Sequence, residues 1–166
     1  FYLKIINFTL RNGRKVHFFL MNPYKYPSGH APLLFWPSPS KSFLDRIEDS
    51  LSQFSDKNDT IIFMNHYPVN LFLCLRKSKK GRNFKDIVIK DVNFALSGHN
   101  HPRYPAIQHQ GQKLLEVVGS DMVTHKIINL FTFDNDRFVY HYLNYSKKPN
   151  FLFITNPIPT EQLTEG

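Results

Sequence analysis

Apolar and polar residues alternate along residues 2–10 and again along 14–20, which predicts two strands. Arg11-Asn12-Gly13 between them is a turn signal, so the pair reads as a β-hairpin. Residues 22–40 hold Pro23, Pro27, Gly29, Pro32, Pro37 and Pro39 and read as an irregular crossing loop. Phe43, Leu44, Ile47, Leu51 and Phe54 then recur at helical spacing. They predict a helix over 42–54, capped by Ser40 or Ser42. The continuous apolar run at 60–65 reads as a buried strand that ends in His66-Tyr67-Pro68. A short helix is expected over 70–77.

A basic loop leads to Ile87-Val88-Ile89 and then to a second buried-type strand at 93–97, which stops at Ser97-Gly98. Gly98 is expected to let the backbone turn sharply or approach a ligand closely. Downstream, residues 105–109, 113–118, 126–133 and 137–143 are short and rich in Val, Ile, Phe and Tyr. With turns at Gln110-Gly111 and Asp134-Asn135-Asp136, they read as an antiparallel series. A last strand is expected over 151–155. The following Asn156-Pro157-Ile158-Pro159 reads as an exit toward a further domain, so 156–166 is taken as linker.

Composition narrows the class. The 166 residues suffice for one domain with a core, and a hydrophobic fraction of 42% argues against disorder. No apolar run approaches the roughly 18 residues of a membrane-spanning helix. No signal-peptide pattern opens the chain, and its start at Phe1 without Met reads as a piece of a longer protein. Cys74, the single cysteine, excludes an internal disulfide. Between Phe72, Leu73 and Leu75 it reads as a buried structural thiol rather than a nucleophile. The net charge of +8 suits nucleic acid, anionic lipid or a phosphorylated substrate. Much of it lies in Arg76-Lys77-Ser78-Lys79-Lys80-Gly81-Arg82, read as a solvated loop.

The chemistry-bearing residues are His66, His99 and His101. Two buried strands deliver histidine at the same end, the edge where open α/β sheets place their sites. Neutral imidazole ligates zinc, iron, manganese and similar ions. Residues two apart in an extended segment face one side, so His99 and His101 can serve one ion or two neighbouring ions. Arg103 and Tyr104 follow directly, and either contact substrate or cover the site. His17 and His141 read as strand packing or surface; the role of His125 stays open.

Asn65-His66-Tyr67-Pro68 followed by Leu96-Ser97-Gly98-His99-Asn100-His101 resembles the last two metal motifs of calcineurin-like metallophosphoesterases. Further stretches, Leu115 to Asp121, Phe131 to Asp136 and Phe153 to Pro157, are similar to the transmembrane protein 62 group of that superfamily. The resemblance covers most of the chain. It implies an α/β fold: the C-terminal half of a phosphoesterase β-sandwich flanked by helices, with mostly antiparallel strands in its second half. It also implies two divalent ions of the Mn, Fe or Zn class, His66 and His99 on the second and His101 on the first. The paired ions would lower the pKa of a bridging water and clamp a phosphoester.

The earlier family motifs, an Asp-Xaa-His, a Gly-Asp and a Gly-Asn-His-Asp/Glu, are absent, and no Gly-Asp dipeptide occurs. Residues 1–155 are therefore expected to be the C-terminal part of the catalytic domain, inactive alone, with the catalytic residues upstream of Phe1. The full-length protein is expected to be membrane-anchored through segments outside this chain, with a lumenal or extracellular catalytic domain. Sequons at Asn7, Asn58 and Asn144 point weakly the same way. Two other readings compete: a basic nucleic-acid-binding module, and a degenerate phosphoesterase fold serving as an interaction scaffold. The aromatic residues sit mostly inside apolar strands, so nucleic acid is not the expected partner.

Overall fold

The computed structural model describes residues 2–22, 37–54, 59–103, 105–110, 114–120, 124–134, 137–144 and 154–159. The fold is mixed α/β. Strands β1 (Tyr2–Thr9), β2 (Lys15–Asn22), β3 (Thr60–Met64), β4 (Phe94–Ser97), β5 (Ala106–Gln110) and β6 (Leu114–Val118) form one sheet in the order β1-β2-β3-β4-β6-β5. The neighbours β2, β3, β4 and β6 run parallel, and antiparallel β1 and β5 flank them. Helix α1 (Lys41–Ser52) connects β2 to β3, and α2 (Phe84–Asp91) connects β3 to β4. Strands β7 (Ile127–Asp134), β8 (Arg137–Asn144) and β9 (Ile154–Pro159) form a separate antiparallel sheet.

Strand alternation sorts the central sheet into two apolar faces. Phe19, Ile61, Phe63 and Ala95 pack with Leu44, Ile47 and Leu51 of α1 and Phe84, Ile87 and Val88 of α2. Val16, Ile62, Phe94, Leu96, Leu115 and Val117 form the opposite cluster, against which Phe131 of β7 packs. A fully buried side chain of this kind contributes about 1.5–3 kcal/mol, so Phe63, with none of its surface exposed, anchors the layer. Truncating it to alanine would cost about 3–5 kcal/mol.

Local signals explain the helices. Ser40 Oγ accepts the Phe43 N–H at 3.3 Å, capping α1 as its sequence predicts. Asn83 and Asp86 form a reciprocal capping box at α2, each side chain bonding the other residue's backbone N–H. This helix was not expected, although Phe84, Ile87 and Val88 mark its buried stripe. Arg82 ties the two helices by ion pairs to Glu48 and, at 2.9 Å, to Asp91. The basic run is thus not wholly a solvated loop: Arg82 and buried Ser78 are part of the packing.

The hairpin forms as expected: the Leu10 N–H donates to Arg14 O at 2.8 Å, with Gly13 at φ +84°. The helix expected over 70–77 is only a 3₁₀ turn, Val69–Leu71. After it the chain is extended, and the Leu73 N–H bonds Pro37 O at 2.9 Å rather than continuing a helix. Phe72 is buried, but Cys74 two residues later is exposed, so the buried-thiol expectation is wrong.

The downstream strands pair antiparallel with one another, as expected, but they divide between two sheets. β6 inserts between β5 and β4, antiparallel to the first and parallel to the second. Of the strand expected over 151–155, only 154–155 fall in β9 (Ile154–Pro159), 151–153 lie outside the described residues, and 156–159, expected as linker, make up the rest of β9. Pro157 and Pro159 are tolerated because β9 is the edge of its sheet.

Candidate functional site

Backbone pairing continues past the ends of β3 and β4 and delivers both histidines to one edge. The Asn65 N–H donates to Leu96 O at 3.0 Å, and the Gly98 N–H donates to His66 O at 3.0 Å. Gly98 does not make the turn expected of it. The positive φ falls on His99, at +67°, where the Asn100 N–H bonds back to Gly98 O at 2.8 Å in a γ-turn. His101 is also left-handed, at φ +42°. Such a conformation costs a non-glycine residue about 1–2 kcal/mol, and strain of this type gathers at functional sites.

The rings converge. His66 Nε2 lies 3.1 Å from His99 Nδ1. Buried Tyr67 packs its ring 4.4 Å from that of His99 and 4.8 Å from that of His66, walling the pair from the core side. Burial holds both imidazoles below their usual pKa. The charges that neighbouring histidines would carry add to it: His99 and His101 for His66, and His101 for His99. Neutral imidazole is the form that ligates a metal.

The two nitrogens fit one cation. At Zn–N distances of about 2.0–2.1 Å, nitrogens 3.1 Å apart subtend an angle of roughly 100°. Without a cation, the same spacing suits an N–H of one ring donating to the other. The pair supplies only two ligands: among the described residues, no group of three or more His, Cys, Asp or Glu is placed to hold an ion. His101 is exposed and does not complete such a group. The His125 Nε2–H donates to His101 O at 2.9 Å, so His125 props the loop. Arg103 is exposed beside it, and Tyr104 lies outside the described residues.

Two further residues belong to this edge. Glu116 in β6 is fully buried, with Oε1 accepting from the Val69 N–H at 2.9 Å and Ser97 Oγ at 2.8 Å. Its Oε2 accepts from Gln110 Nε2 at 3.3 Å. Burial pushes its carboxyl above the usual range, against the hydrogen bonds from Val69, Ser97 and Gln110. The sequence signal was a lone carboxylate inside Leu114-Leu115-Glu116-Val117-Val118. Asn65 is the second: both polar atoms of its side chain are buried without a hydrogen-bond partner among the described residues. Asn65 and His66 line a cavity of about 440 Å³, walled by Met64, Leu96, Val117 and Phe131.

No family model and no curated protein matches the chain. Among solved structures, it is similar to a protein from Staphylococcus aureus assigned as a 5′-nucleotidase and solved in complex with alpha-ketoglutarate. The identity is 11% and the TM-score 0.39, over 94% of this chain and 29% of that one. The chain thus spans under a third of the length of that structure, and likeness of this degree carries neither fold nor activity across.

Proposed function

We propose that this chain carries part of a calcineurin-like, two-metal phosphoesterase centre, with His66 and His99 ligating one ion and His101 serving its neighbour. The observation that supports this best is the convergence of His66 Nε2 and His99 Nδ1 at 3.1 Å on the sheet edge. The ions that His66, His99 and His101 would help hold would, when bound, make hydroxide available near neutral pH and offset charge on the phosphoester. The chain's own residues have simpler tasks. His66 and His99 stay neutral by burial and offer lone pairs. Tyr67 fixes their ring planes. Asn65 offers an amide donor and acceptor to a substrate in the adjoining cavity. Arg103, exposed two residues after His101, would contact the phosphoester, and the sequence offers Tyr104 for the same role.

The remaining ligands, including the bridging carboxylate, would come from outside this chain, as would the membrane anchor of a transmembrane protein 62-like protein. Among the described residues no helix is long and apolar enough to cross a membrane.

Cobalt(II) titration followed by its visible absorption tests the ligand assignment. Binding should be lost in His66→Ala and in His99→Ala. Equal binding by both variants and the unaltered chain would overturn it. The 166 residues alone should hydrolyse an aryl phosphate negligibly, because two or three imidazoles without a bridging carboxylate cannot hold a two-ion cluster.

A further inference from the structure

Glu116 is a conspicuous expense in this fold. Its carboxylate has no exposure, and all three of its described hydrogen-bond partners are neutral. None of the ion pairs among the described residues includes it. A buried carboxylate without a cation destabilises a fold relative to an apolar side chain of similar volume. Leu114 and Val118, the neighbours on its own face of β6, are buried and apolar, so that face accommodates apolar residues.

The location of its partners gives the group a use. Val69 begins the 3₁₀ turn directly after His66-Tyr67-Pro68. Ser97 ends β4, directly before Gly98-His99. One oxygen, Oε1, therefore holds the segment that follows one histidine and the residue two before the other. Gln110 Nε2 steadies Oε2 from β5. The direct Gly98 N–H to His66 O bond joins the two loops to each other, whereas Glu116 joins both to the sheet.

We infer that Glu116 is a positioning residue: its Oε1 is the shared acceptor that sets the separation of the His66 and His99 rings. The inference rests on the proposed metal-ligand role of that pair for its purpose, but not for its geometry. A carboxylate suits the task because one oxygen can accept two hydrogen bonds at once. An amide oxygen can do the same, so glutamine should replace it. An apolar side chain would leave the Val69 N–H and the Ser97 hydroxyl without their acceptor.

The test compares Glu116→Gln, Glu116→Leu and Ser97→Ala with the unaltered chain by two readouts. The first is the nuclear Overhauser contact between the His66 and His99 rings without metal. The second is cobalt(II) affinity. Glu116→Gln should keep the ring contact and bind cobalt within about twofold of the unaltered chain, while Glu116→Leu should lose the contact and at least about tenfold in affinity. Ser97→Ala, which removes one arm only, should weaken the contact while leaving the fold intact, and it decides the matter if Glu116→Leu does not fold. Unchanged ring contact in Glu116→Leu, or in Ser97→Ala if the former does not fold, would overturn the brace. So would equal loss in Glu116→Gln and Glu116→Leu. If the unaltered chain binds no cobalt, the metal reading fails, yet the ring contact still decides the role of Glu116.

Discussion

His66 and His99 stand 33 residues apart in the chain, yet their ring nitrogens meet at 3.1 Å. Their loops are joined by a backbone hydrogen bond from Gly98 to His66, so the meeting follows from the parallel pairing of β3 and β4. A pair of side chains held this way is fixed before anything binds, which would lower the entropic cost of binding.

The imidazoles should titrate below the ordinary histidine value. Their folded-state pKa values are depressed, so the neutral rings contribute stability that is present above the unfolded pKa of about 6.5. That stability is lost as pH falls through the folded-state values. Titration of the ring C–H resonances should give midpoints below 6.5 for both. Midpoints at or above that value would contradict the burial argument.

Two glycines should respond differently to alanine. Gly13 has φ +84° with nothing within 4 Å of an added Cβ, so Gly13→Ala should cost about 1–2 kcal/mol through backbone strain alone. A Cβ on Gly98 would meet only His66 O, at an ordinary 3.6 Å. Gly98→Ala should therefore stay within about 0.5 kcal/mol of the parent in urea unfolding, despite its place beside the site.

Arg82→Ala should destabilise the chain by about 3 kcal/mol, since it strands the buried Glu48 carboxylate and deprives Asp91 of its cation. For Glu48, burial raises the pKa, but hydrogen bonds from Ser78 and Arg82 and the charges of Arg82 and Lys80 outweigh it and leave it lowered. Its contribution is present above the unfolded carboxylate pKa and disappears as pH falls through the folded one. The gap between parent and variant in urea melts should accordingly shrink on strong acidification. A gap independent of pH would show that packing, not charge, is the contribution of Arg82.

Cys74 is exposed, so a thiol reagent should modify it in the folded chain without denaturant. Among the described residues its Sγ makes one long contact, 3.7 Å, to Phe72 O. Modification that required unfolding would return Cys74 to the core.

Much of the site was legible because its signals are local. The apolar runs before His66 and Gly98-His99 specify buried strands, and a buried strand must deliver the next residues of the chain to a sheet edge. The hairpin at Asn12-Gly13 and the cap at Ser40 are likewise written in a few adjacent residues. Other local signals went unread, above all the Asn83-Asp86 capping box of α2.

The sequence by itself determined which strand and helix positions carry the apolar core and where the hairpin turns, since alternation and turn chemistry act over a few residues. Only the tertiary structure decided that β6 lies between β4 and β5, that Cys74 faces out, and that the positive φ falls on His99 rather than Gly98. The same holds for Glu116, whose oxygen meets partners 19 and 47 residues away. Periodicity states which way a side chain points, but parallel pairing joins strands across long stretches of chain. A buried carboxylate becomes a brace only when that pairing brings its partners to it.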